Sequence, residues 1–369
     1  MTKERGKQIG SIIIIAVFII GAIICMSLLI CDEVRHSNKK HYESIANYSV
    51  IDYFLKKGDA VDLSCENQFK DSGIDITQST YTSADTTVCN VSGSVITAVG
   101  MGRTTIDVEL YSKPNDTYYY CMGVCANVYV VDDNAEDLIE IRTAQDLLNI
   151  KNNLSARYIL KNDVDLSGID YVSMGDSSYG VAAPFTGVFI NPLKFKIKNL
   201  TIRPTCTENH GRCSGGLFGD IEDAYIDGII LENVDIDLRD CNGELPSIAG
   251  GIASTAINSI IRNCVVKGAI KAVGSSGGIV GNVGGRSSVR DCVSVGSIAS
   301  VKEEAGGIAA YGDYIYDSTS FADVEGAYAG GILGYSMHGE TAYGCTFLGN
   351  VCGEKSQGEI IGKITGFEW

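Results

Sequence analysis

From Gly215 to Gly362 short apolar runs alternate with glycines, and one phrase is written six times. The copies are Gly216-Leu217-Phe218-Gly219, Gly251-Ile252-Ala253-Ser254, Gly278-Ile279-Val280-Gly281, Gly307-Ile308-Ala309-Ala310, Gly331-Ile332-Leu333-Gly334 and Glu359-Ile360-Ile361-Gly362. Successive copies start 35, 27, 29, 24 and 28 residues apart. Self-similarity at a period of about 20 to 50 residues marks a solenoid, propeller or array, so each copy reads as one coil.

A second phrase follows the middle copies, beginning at Asn263, Asp291, Asp317 and Gly344. Every second residue of it is small or apolar: Cys264, Val266, Gly268 and Ile270 in the first copy, Cys292, Ser294, Gly296 and Ile298 in the next. Ser318, Ser320, Ala322 and Val324, then Cys345, Phe347, Gly349 and Val351, continue the series. The opposite parity holds Lys267, Ser297, Asp323 and Asn350. A period of two is a strand with one face buried. Glycine and β-branched residues fill these repeats without an apolar i, i+3, i+4 stripe, which excludes helices.

Each coil therefore holds at least two short strands, and the Gly-Gly pairs read as corners, where glycine tolerates positive φ and close backbone approach. Equivalent strands of neighbouring coils stack in parallel about 4.8 Å apart, so like residues form columns. The predicted core column is Leu217, Ile252, Ile279, Ile308, Ile332 and Ile360. One coil cannot bury such a face, so at least three are needed. The fold class expected is all-β, and this region reads as a right-handed parallel β-helix.

Upstream, residues 9–31 run without a charge, enough to span about 30 Å of hydrocarbon. Lys3, Arg5 and Lys7 precede the run while Asp32 and Glu33 follow it, which places the N-terminus in the cytoplasm and the rest outside. Residues 1–31 thus read as a cytoplasmic stub and membrane anchor, and 32–45 as a linker. A cleaved signal peptide is the alternative, but the apolar run is long for one and lacks a small-x-small exit site.

Residues 46–132 carry short alternating runs separated by turn residues, as in a small β-sandwich. The phrase from Ser83 to Val108, with Gly93-Ser94-Val95-Ile96-Thr97-Ala98 and Gly102-Arg103-Thr104-Thr105-Ile106, resembles the bacterial Ig-like domain of group 2. That resemblance implies a spacer or receptor-binding unit on a bacterial surface. Cys65, Cys89, Cys121 and Cys125 depart from the pattern.

After a polar joint, Ile139-Glu140-Ile141 reads as a strand entering a helix, with Thr143 as N-cap and Asp146 completing a variant capping box. A helix there would cover the open edge of the first coil. The runs Tyr158–Gly168, Pro184–Phe189 and Ile197–Ile202, joined to the Gly-Gly-Ile/Leu repeats, resemble the GLUG-type β-helix region of bacterial cell-surface proteins. The β-helix with its helical cap is placed at residues 138–369.

The net charge of −16 argues against a nucleic-acid partner. His36, His41, His210 and His338 are the only histidines and form no His-Glu-x-x-His zinc motif; no Gly-x-Ser-x-Gly elbow is present either. No cofactor, metal site or catalytic residue is expected. Some β-helices cleave polysaccharides with clustered carboxylates, for which Asp220, Glu222, Asp223, Asp227, Asp235 and Asp237 are the candidates here, and Asp163 with Asp165 could bind Ca²⁺. A charge run on a solenoid is more often a solvated face.

Thirteen cysteines are many. Cys25 and Cys31 lie in the anchor, and Cys206 and Cys213 bracket a short polar loop that a local disulfide would close. Cys264, Cys292 and Cys345 read as buried apolar thiols.

The functional expectation is a non-enzymatic, single-pass cell-membrane protein of a bacterium. Residues 9–31 engage the lipid bilayer, and the extracellular β-helix binds a glycan or protein. An enzyme acting on extracellular polysaccharide and a structural envelope component are the alternatives.

Overall fold

The computed structural model describes residues 51–63, 76–112, 119–132, 134–175, 183–203, 213–241, 245–339 and 341–365. The expected membrane span and linker lie outside the described residues. Among the described residues no helix is long and apolar enough to cross a membrane. The chain divides into two compact units between Asp132 and Asp133.

The described residues of the first unit form two small sheets. Ile51–Leu55, Tyr119–Val130, Gly102–Ser112 and Ile76–Ser83 form one in that order, and Ala60–Asp62, Val95–Ala98 and Cys89–Ser92 the other. Only the pairing of Ile51–Leu55 with Tyr119–Val130 is parallel among them. Ile106, Val108, Ala126, Val128 and Val130 from the first sheet share one core with Cys89, Ile96 and Ala98 from the second. The runs that alternate in the sequence are these strands, because alternation is what a two-layer core demands.

The second unit is a β-solenoid of stacked parallel strands. One coil comprises four consecutive strands, Ile248–Gly250, Ala253–Ile257, Ile260–Arg262 and Val265–Ala272, here called sides 1 to 4. Each pairs in parallel with its counterpart in the next coil: Ser276–Gly277, Val280–Gly284, Ser288–Arg290 and Val293–Ser300. Among the described residues side 2 stacks six strands and side 3 eight. Sides 1 and 4 merge into one sheet because Thr319–Gly330 is a single strand that runs round from side 4 to side 1.

Three of the four corners are marked by glycine or by left-handed residues. The Gly-Gly pairs lie between sides 1 and 2, and none of them has positive φ. Their reason is close approach alone: a Cβ on Gly277 would sit 1.8 Å from the Val280 carbonyl oxygen, and one on Gly306 1.7 Å from that of Ala309. Between sides 2 and 3, Asp223 and Asn258 adopt the left-handed region. Between sides 3 and 4 it is Gly228, Asn263, Asp291, Asp317 and Gly344, the residue types that bear positive φ at least cost. The first residue of each second phrase is thus a corner.

Inside, Leu217, Ile252, Ile279, Ile308 and Ile332 are fully buried, and Ile360 is partly so. Their backbones are linked rung to rung: Ile252 N–H donates to Ile279 O at 2.8 Å, Ile279 to Ile308 at 2.9 Å, Ile308 to Ile332 at 2.8 Å and Ile332 to Ile360 at 3.0 Å.

Next to the side 3–4 corner runs a column of Cys264, Cys292, Ser318 and Cys345, fixed by the pairings Val265↔Val293, Val293↔Thr319 and Thr319↔Thr346. Each donates to the carbonyl two residues back: Cys264 to Arg262 and Cys292 to Arg290, both at 3.1 Å, Ser318 to Tyr316 at 2.8 Å and Cys345 to Tyr343 at 3.4 Å. Each of those carbonyls also accepts a backbone N–H from the preceding coil, so the S–H or O–H adds a second bond there. Cys264 and Cys292 are buried free thiols, whereas Cys345, in the last coil, is partly exposed.

At the other end, Ile139–Ile141 leads into helix α1, Ala144–Leu148. Thr143 Oγ1 accepts from Asp146 N–H while the Asp146 carboxylate accepts from Thr143 N–H, a complete capping box. Ile141, Leu147 and Ile150 are fully buried in the solenoid core. Cys213 forms a disulfide with Cys241, its Cα 6.5 Å away, and this corrects the expected Cys206–Cys213 pairing. Cys213 opens side 1 and Cys241 follows the end of side 4 at Leu238, so coil winding brings together residues that loop length does not. Cys206 lies outside the described residues.

Candidate functional site

Outward-facing residues also stack in columns, so any site on the solenoid is a matter of which column a residue enters. The candidate carboxylates do not share one. Asp220 is on side 2, where Ser254 Oγ donates to it at 3.1 Å. Asp227, on side 3, accepts from Tyr225 OH at 3.0 Å and Asn263 Nδ2 at 2.8 Å, with Arg262 Nε at 4.0 Å. Asp235 and Asp237 are on side 4, paired with Arg203 and Arg239. Glu222 ends its side 2 strand and Asp223 turns the corner after it.

Asp163 and Asp165 likewise have separate partners. Asp163 takes Lys198 Nζ at 2.7 Å and Lys196 N–H at 2.9 Å, which hold its carboxyl below the usual range. Asp165 accepts from the hydroxyl and N–H of Ser167 and from Asn199 Nδ2, which lower it to about 2. Among the described residues no group of three or more His, Cys, Asp or Glu is placed to hold a metal ion.

His338, the one histidine in the described residues, stands by Asp313, with Nδ1 2.5 Å from Oδ2. Ser336 Oγ lies 3.1 Å from the other oxygen of Asp313 and 2.6 Å from Gly339 O, two acceptors for its one proton. The carboxylate thus lies between hydroxyl and imidazole. A hydrolytic triad needs the imidazole in the middle to take the hydroxyl proton, so this network braces a corner instead.

Two outward columns carry aromatic rings, and neither was picked out in the sequence. On side 3 the register runs Asp227, Arg262, Arg290, Tyr316, Tyr343. The Arg290 guanidinium lies 4.0 Å from the centre of the Tyr316 ring, and Tyr316 stacks on Tyr343 at 5.5 Å and 25°. On side 2 it runs Asp220, Thr255, Asn282, Tyr311, Tyr335, Lys363. Tyr311 stacks on Tyr335 at 5.4 Å, and Lys363 Nζ lies 5.0 Å from the Tyr335 centroid and 4.4 Å from that of Tyr328 on side 1. The signal for the side 3 column was available. Arg262, Arg290, Tyr316 and Tyr343 each directly precede a copy of the second phrase.

No protein-family model matches the chain, and no curated protein matches it either.

Proposed function

We propose that this chain is a non-enzymatic bacterial cell-surface protein, tethered by residues 9–31, whose solenoid binds an extracellular glycan or protein. In this reading residues 46–132 are a bacterial Ig-like domain of group 2 serving as spacer. The solenoid is a right-handed β-helix of the GLUG type, and everything beyond the anchor is extracellular.

The observation that supports it best is the side 3 column, where two arginines and two tyrosines recur in register over four successive coils on an outward face. Repeated like residues along a solenoid suit a ligand that is itself repetitive, such as a polysaccharide. Of the candidate carboxylates of an enzymatic reading, Asp220, Asp227 and Asp237 are on three different sides and each is an acceptor for a neighbouring side chain.

The test is a glycan array probed with the full-length chain in detergent, run beside reducing-sugar release from the same polysaccharides. Binding without release is expected. Release of sugar ends would replace the proposal with a polysaccharide-cleaving enzyme.

A further inference from the structure

Within a chain of net charge −16, one stretch of sequence is locally basic. Residues 251–300 hold Arg262, Lys267, Lys271, Arg286 and Arg290 against a single acid, Asp291, so this stretch carries five positive charges and one negative. Two of the five, Arg262 and Arg290, occupy adjacent rungs of side 3, and Tyr316 and Tyr343 continue their column. From this we infer that side 3 of these coils is a binding strip for a linear acidic glycan bearing a carboxylate on its sugars, a uronic-acid chain lying along the solenoid axis. The inference rests on the glycan-binding reading above and names the ligand class.

Chemistry and spacing both point there. Rungs repeat about every 4.8 Å, close to the length of one pyranose unit, so successive sugars meet successive rungs. A planar guanidinium matches a planar carboxylate with two parallel N–H···O bonds, which an ammonium cannot offer. Arg290 is held in place by its contact with the Tyr316 ring and by Nε donating to Ser288 Oγ at 3.3 Å, so little side-chain freedom is lost on binding. Arg262, largely buried and 4.0 Å from Asp227, is already partnered, so the strip ends there and Arg290 is its cation. At the other end Tyr343, half exposed, offers its ring to the C–H face of a sugar. Lys267 and Lys271, on side 4, belong to another face; Lys267 Nζ pairs with Glu232 at 3.3 Å.

The experiment measures affinity of the full-length chain in detergent for a galacturonic-acid hexamer, for its carboxyl-reduced counterpart and for a single-stranded thymidine oligonucleotide. The galacturonate hexamer is expected to bind at least about tenfold more tightly than either of the others, with affinity falling as salt rises. Arg290→Gln should remove that advantage, roughly a tenfold loss, and leave binding of the reduced hexamer unchanged. Tyr343→Ala should weaken both sugars, and Lys267→Gln neither. Should Arg290→Gln fail to fold, Arg290→Lys keeps the charge without the fork and should still bind the galacturonate several-fold more weakly than the parent. Equal binding of the two hexamers, or no effect at Arg290, overturns the acidic-glycan assignment while leaving glycan binding intact. Stronger binding of the oligonucleotide overturns it in favour of a nucleic-acid strip. Failure of both hexamers, with an array that retains no glycan, removes this inference and the reading beneath it together.

Discussion

At the first coil of the solenoid Ile141, Leu147 and Ile150 are fully buried in and around a short capped helix, while at the last coil Phe347, Val351 and Ile360 are only partly buried. Those last three stand in the same inward columns as Ser320, Val324 and Ile332, all of which are buried. Residue type does not account for this, since Ile332 and Ile360 are both isoleucine in one column. Burial in a solenoid is supplied by the coil above and the coil below, so the same side chain is core in one coil and half solvated in another. Coils that repeat one sequence phrase therefore differ in how deeply they bury the same position.

The largest break in this comparison is a charge in the middle. Ile279→Asp should cost several kcal/mol, because it puts a carboxylate among fully buried isoleucines. Ile360→Asp, the same change at the last coil, should cost no more than about 2 kcal/mol, since water already reaches that position. Denaturant midpoints compare the two directly, and equal losses would mean that burial along the column is uniform. Next in size is the cap. Thr143→Ala removes the hydroxyl that accepts from Asp146 N–H, and should cost about 1 kcal/mol, read as a lowered melting temperature.

The smallest effect is a pH dependence at Asp165, which is fully exposed. Its carboxyl is depressed from 3.8 to about 2 by Ser167 and Asn199, so its contribution is present above its unfolded value and is lost as pH falls through about 2. The gap in urea midpoint between the parent and Asp165→Asn should close as pH is lowered from about 5 to 2. A gap that stays constant would show that the hydrogen bonds do not favour the ionised form.

The repeat, the inward parity and the capping box were legible because each is a matter of short-range spacing. Alternate residues from Cys264 to Ile270 are on one face of a strand, and Thr143 is three residues from Asp146. What was not legible depended on how many sides a coil has. Four sides, rather than the minimum of two, decide that Cys213 meets Cys241. They also put Asp227 and Asp237, ten residues apart in sequence, on different faces. The side 3 column was missed for a related reason. Outward residues are under no common demand for apolarity, so Arg262, Arg290, Tyr316 and Tyr343 share no hydrophobic signature and show as a set only once the register is known. The double glycines were placed correctly as corners, but steric contact with the next strand's carbonyl, not positive φ, is what requires them.

The cysteine column tests coil register and unequal ends in one measurement, since Cys264, Cys292 and Cys345 hold equivalent places while Cys352 is exposed on the last coil. Time-resolved alkylation of the native protein, read by mass spectrometry, should label Cys352 first and Cys345 more slowly. Cys264 and Cys292, fully buried, should wait for denaturant. Cys292 and Cys345 lie two rungs apart, about 9.6 Å, beyond the roughly 7 Å a disulfide spans. Labelling of Cys264 as fast as Cys352, or a native Cys292–Cys345 bond, would contradict the stacking of coils on which the account depends.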